Sequence, residues 1–108
     1  ANTFKLKTKA NVGVTTVGIY TAPAATTTVV IGITMSNTSG SGVNVGVGIT
    51  RAGTTEDVKL LKNAPIPQGS SLEFMGGNKV VLETTDTVTV DSDTNNSVDA
   101  TLTIMEIT

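Results

Sequence analysis

The segment Val43-Asn44-Val45-Gly46-Val47-Gly48-Ile49-Thr50 decides the fold class of this chain. Every second residue is β-branched and apolar, and the residues between are small or polar. Strand side chains alternate between two faces, so this spacing makes one buried face and one open face; on a helix it would scatter the same residues around the axis. Val and Ile are also stiff at χ1 and pack well on a pleated sheet. Working outward, the same alternation recurs at Phe4–Leu6, Val17–Ile19, Ile31–Ile33–Met35, Leu72–Phe74, Val80–Leu82, Val88–Val90 and Val98–Ala100–Leu102–Ile104. Threonine, another β-branched residue, supplies about a fifth of the chain. Strands recurring about every 8–12 residues predict a sandwich or barrel. The expectation is an all-β, antiparallel β-sandwich of eight or nine strands with essentially no helix, the jelly roll being one of its topologies.

The breaks between these segments carry turn chemistry. Ser39-Gly40-Ser41-Gly42 reads as a hairpin tip between two long strands. Pro23 separates the second and third strands. Pro65 and Pro67 remove two backbone donors, which makes residues 64–69 a loop or a strand end. Gly76-Gly77-Asn78 and Thr84-Thr85-Asp86 read as short turns, and residues 91–97 as a longer polar connection. The last strand, from about Ser97 to Ile107, places Val98, Ala100, Leu102 and Ile104 on one face. Met105 and Ile107 fall on the other with Thr101 and Thr103, so the strand is either central in one sheet or buried on both faces near its end, as it would be against a partner subunit.

With 108 residues the chain fits one domain over its whole length. Its only aromatics are Phe4, Tyr20 and Phe74, so the core is expected to be thin and aliphatic, with added stability from self-association or docking. Cysteine is absent, which removes disulfides and thiolate metal sites. A net charge of −2 gives no general affinity for nucleic acid or an anionic membrane, and no apolar run reaches the length of a membrane span. An Ala1 exposed by trimming of an initiator Met suits a product made in the cytoplasm.

Histidine is absent too, so the usual general base and every Ser–His or Cys–His nucleophile pair are missing. Paired carboxylates remain, but a sugar cleft wants aromatic platforms that this chain lacks. No enzyme activity and no cofactor are expected. Asp91, Asp93, Asn95, Ser97 and Asp99 follow the 1-3-5-7-9 spacing of a calcium loop. Asn96 occupies the position of the turn glycine and Leu102 that of the bidentate Glu, so a solvated turn is the better reading. Gly76-Gly77-Asn78-Lys79 lacks the spacing of a phosphate loop and reads as a tight hairpin. Lys5, Lys7 and Lys9 alternate on one side of the first strand; they either guard an edge or meet an acidic partner. Tyr20, Phe74 and Met75 are expected in or at the rim of the core. Ile66, braced by two prolines, is either an exposed anchor for a partner or a plug at the end of the sandwich.

Ala64-Pro65-Ile66-Pro67-Gln68-Gly69, Gly76-Gly77-Asn78-Lys79-Val80-Val81-Leu82-Glu83, Asp86-Thr87-Val88-Thr89-Val90 and the closing Ile104-Met105-Glu106-Ile107-Thr108 resemble the small β-sandwich structural proteins of tailed phages, cyanophages among them. The likeness covers the C-terminal half as motif, with Thr85-Asp86 where a Gly-Asp turn is expected. It implies a location in the virion and a role as a capsid decoration or cement protein bound as a homo-oligomer. The implied partners are other copies and the major capsid protein or another virion protein. A tail, neck or baseplate component is the neighbouring reading, and a sugar- or receptor-binding adhesin that of another class. The contact candidates are Ile66, Lys5, Lys7, Lys9, Met105 and Ile107.

Overall fold

The computed structural model describes residues 2–74 and 79–108. It has nine strands: β1 (Asn2–Val12), β2 (Val17–Thr21), β3 (Thr27–Asn37), β4 (Val43–Arg51), β5 (Glu56–Ile66), β6 (Ser71–Phe74), β7 (Val80–Leu82), β8 (Thr87–Ser92) and β9 (Val98–Ile107). One sheet runs β1-β9-β3-β6, with β7 also paired to β3, and the other runs β2-β8-β4-β5. All pairs are antiparallel. If β6 and β7 are counted as one interrupted strand, this is the order of an eight-stranded jelly roll.

The alternation that set the fold class forms the core. Val43, Val45, Val47 and Ile49 face inward from β4, against Ala100, Leu102 and Ile104 of β9 and Val30, Ile33 and Met35 of β3; all are buried. Gly46 and Gly48 lie on the other face of β4 at positions where a side chain has no room. A Cβ on Gly48 would stand 2.9 Å from the Val58 carbonyl, and one on Gly46 2.6 Å from Asp91 Oδ1. Polar groups inside are all partnered among the described residues, as burial without a partner would cost too much.

Two expectations are corrected here. Residues 38–42 do not form a hairpin tip, because β3 and β4 belong to different sheets. The Asn37 side chain turns the connection across the end of the sandwich, donating to the Ser41 and Ile66 carbonyls at 2.8 and 2.9 Å. The second correction is Ile66. It closes β5, pairs with Val43 and is 1% exposed. Of its two readings the plug is the one the structure takes, and a side chain so deep offers nothing to a partner. The Gly76-Gly77-Asn78 turn and Met75 lie outside the described residues.

Candidate functional site

The unusual element is β1. It is an edge strand, and of its residues only Val12 is buried. From Asn2 to Lys9 it pairs with β9 in continuous register, Lys5 opposite Ile104, Lys7 opposite Leu102 and Lys9 opposite Ala100. Directly opposed residues share a face. The lysines therefore stand on the inward side, with the core residues of β9, and Phe4 and Leu6 stand outside. The cause is a bulge. Lys9 opposes Ala100 and Val12 opposes Val98, so three steps on β1 match two on β9. The extra residue lies at Ala10–Asn11, where Asn11 takes a left-handed φ of 58°. Without it, unbroken alternation back from Val12 would turn Leu6 and Phe4 inward and the lysines out.

Phe4 is 70% and Leu6 64% exposed. The register carries their face across the sheet. Phe4 lies opposite Met105, Met105 opposite Val29, and Val29 opposite Val81, giving one apolar row over four strands. On one side is the row Asn2–Ile107–Thr27, and on the other Leu6–Thr103–Gly32 with Ile31 beside the break in register. Four of the six exposed large apolar residues among those described lie in these rows: Phe4, Leu6, Val81 and Ile107. No ionisable side chain stands in them. Farther along, the face becomes polar through Thr101, Thr34 and Glu73. Met105 and Ile107 thus sit on this face, as the phase of β9 predicts. The sequence does not group Phe4, Leu6 and Val81, since the adjacent rows that hold them exist only through strand pairing.

Behind β1 the inward lysines are accommodated by a polar seam. Glu106 is 7% exposed. Its carboxylate accepts from Tyr20 Oη at 2.6 Å and pairs with Lys5 Nζ at 3.0 Å. Tyr20 Oη also meets Thr28 Oγ1 at 2.8 Å, and Lys7 Nζ stands 5.9 Å from the Tyr20 ring centre, a cation–π distance. The Tyr20 hydrogen bond, then Lys5, hold the Glu106 carboxyl below its ordinary value of 4.5. Burial, then the bond to Glu106, push the Tyr20 phenol up to about 12. The linkage has two limbs. A depressed carboxyl stabilises the fold above its ordinary value, and that contribution is lost as pH falls through the folded value. A raised phenol stabilises it below pH 10, and that contribution is lost as pH rises from there to about 12. Tyr20 is the only tyrosine, so its titration is directly visible. The ultraviolet absorbance of the folded domain is expected to titrate near pH 12, and that of the denatured chain near 10; coincident midpoints would show that the seam is not formed.

The remaining candidates are dispersed. Asp99 Oδ1 accepts from the Asn11 amide, Asn95 Oδ1 from the Val14 amide, and Asp93 Oδ1 from the Asn44 amide. Asp91 accepts from the Thr16 hydroxyl. The Ser97 hydroxyl bonds Ser92 and the Thr94 carbonyl. These side chains pin neighbouring strands and loops, each toward a different partner, and no cluster of three acidic groups that could hold a metal occurs among the described residues. Tyr20 is buried, and Phe74 packs half-buried against the core.

No protein-family model and no curated protein matches the chain. Solved structures do. A chain of the disulfide-linked pili of Bacillus endospore appendages aligns with a TM-score of 0.57 at 16% identity, over 100% of this chain and 87% of that one. A chain of infectious bursal disease virus, Gx strain, gives 0.58 at 15% identity over 97% of this chain, and one of the Gt strain 0.51 at 11% over 99%. This chain spans about a third of those viral chains, 32% and 31%. At such identities the likeness is one of fold.

Proposed function

We propose that this chain is a structural subunit of a virus particle, a decoration or cement protein of a phage capsid that works by occupancy and not by turnover. The observation that carries this reading is the outward apolar face of the β1 sheet. The bulge that brings the lysines inward guards the free edge of β1 against stray pairing, and it leaves Phe4 and Leu6 in water, 70% and 64% exposed. Monomers keep apolar patches of this kind chiefly for contact. Support comes from the fold shared with a pilus chain and with part of a virus chain, and from the absence of His and Cys. These 108 residues hold no cysteine for a disulfide of the pilus kind, and on a repeating shell weak contacts gain strength from repetition.

The test uses capsids assembled from a phage genome that lacks the coding sequence of this chain. Purified protein is expected to sediment with them and to saturate at a fixed copy number per shell. Recovery on tails but not heads would replace the decoration reading with a tail component. Binding to isolated host glycans in place of any particle would replace it with an adhesin.

A further inference from the structure

We propose that the apolar face of the β1 sheet is covered by the same face of a second copy, stacked across a two-fold axis. This deepens the coat-subunit reading and rests on it.

A second copy has two ways of covering β1. The first is to add its own β1 to the free edge and continue the sheet. A two-fold axis normal to the sheet keeps each strand's faces matched, so Lys5, Lys7 and Lys9 of one copy would oppose Lys and Thr positions of the other. Like charges directly opposed across a ladder are destabilising, and lysines on an edge serve to prevent such pairing. The second way is to stack face on face. The rows through Phe4, Met105 and Leu6 carry no charge, so the same surface meets itself without repulsion, as an isologous contact requires. The apolar rows lie at one end of the sheet and Glu73 toward the other, so the pair centres on the apolar ends and leaves the acidic ends in water. Lys79 and Glu83 flank Val81 in the chain and are exposed, Glu83 in an ion pair with Arg51, which puts polar groups beside Val81 as at the rim of an interface.

The area sets the strength. One row across four strands and two across three, with rows about 7 Å and strands about 4.8 Å apart, make a patch of roughly 340 Å² per copy. Two copies bury roughly 700 Å², less than the ~1,000 Å² of a stable independent interface. The contact is therefore weak between free copies and becomes effective where a shell holds them at high local concentration. Such a chain stays dispersed after synthesis and pairs on the particle.

The experiment is sedimentation and amide NMR of the purified chain over a concentration series up to about 1 mM, a range in which a contact of this size becomes visible. Self-association is expected, with concentration-dependent shifts confined to the outer-face residues of β1, β9, β3 and β7. Phe4→Asp combined with Leu6→Asp, both at exposed positions, is expected to keep the fold and weaken association at least ~10-fold, as loss of central apolar contacts does. Shifts mapping instead to the β1 edge, with association strengthened by Lys7→Gln and Lys9→Gln, would overturn the stacked arrangement. A chain that stays monomeric throughout yet saturates capsids would overturn the second copy as occupant and leave the coat reading standing. A chain that does neither removes both.

Discussion

Ile66→Asp is expected to melt at least ~15 °C below the wild type, because it places a carboxylate at a fully buried strand end. Ile66 is 1% exposed, opposite Val43, and its own carbonyl accepts from the Asn37 side chain. The loss of apolar burial and the desolvated carboxylate together cost about 4 kcal/mol or more, set against a total of about 5–15 kcal/mol for a small domain. Ile66→Val removes one methylene and is expected to cost only about 0.5–1.5 kcal/mol. Thermal melts followed by circular dichroism compare the three. An Ile66→Asp domain melting with the wild type would mean that Ile66 lies at the surface and that the anchor reading of the Pro65–Pro67 segment was right. An apparent loss of capsid binding in that variant reports unfolding, so binding is read only in variants that retain their melt.

Deletion of Asn11 is expected to weaken assembly in a domain that still folds, the burial of Phe4 and Leu6 offsetting the loss of Lys5 from Glu106. Asn11 is the left-handed residue of the β1 bulge, held by its amide to Asp99 at 3.0 Å. With it gone, alternation from Val12 runs unbroken and Phe4 and Leu6 turn toward Tyr20 while the lysines turn to solvent. The variant exchanges the Lys5–Glu106 pair for the burial of two large apolar groups, each worth roughly 1.5–3 kcal/mol when fully covered. Self-association and capsid retention are expected to fall at least ~10-fold, since the central contacts of the face are removed. Acetylation of Lys5, paired with Glu106 in the native chain, is expected to accelerate. If the deletion variant keeps both the slow acetylation of Lys5 and the association, the bulge does not set the outward face.

The fold class was legible in one dimension, because period-two alternation of β-branched residues is compatible with one kind of element and a chain without long helical repeats must close two such faces on each other. The sequence also set the phase of β9, where regular alternation from Val98 to Ile107 runs unbroken against β3 apart from one shift near Ile31. It marked only the end of β5, where Pro65 and Pro67 read as a loop or a strand end and the strand stops at Ile66. The rest of Glu56–Ile66 shows no alternation, because two register shifts against β4 break its phase. The sequence failed at β1, where the lysine and apolar faces were both legible but their direction was not. A single extra residue reverses that direction, and whether a residue is extra depends on the strand it lies against. The same holds for Asp91, Asp93, Asn95 and Asp99. Their spacing belongs to the chain, but the groups that claim them, the Thr16 hydroxyl and the amides of Asn44, Val14 and Asn11, arrive from distant segments. Local alternation is a property of one strand and survives in one dimension. Register, bulges and the row Phe4–Met105–Val29–Val81 are properties of pairs of strands, and only the folded sheet decides them.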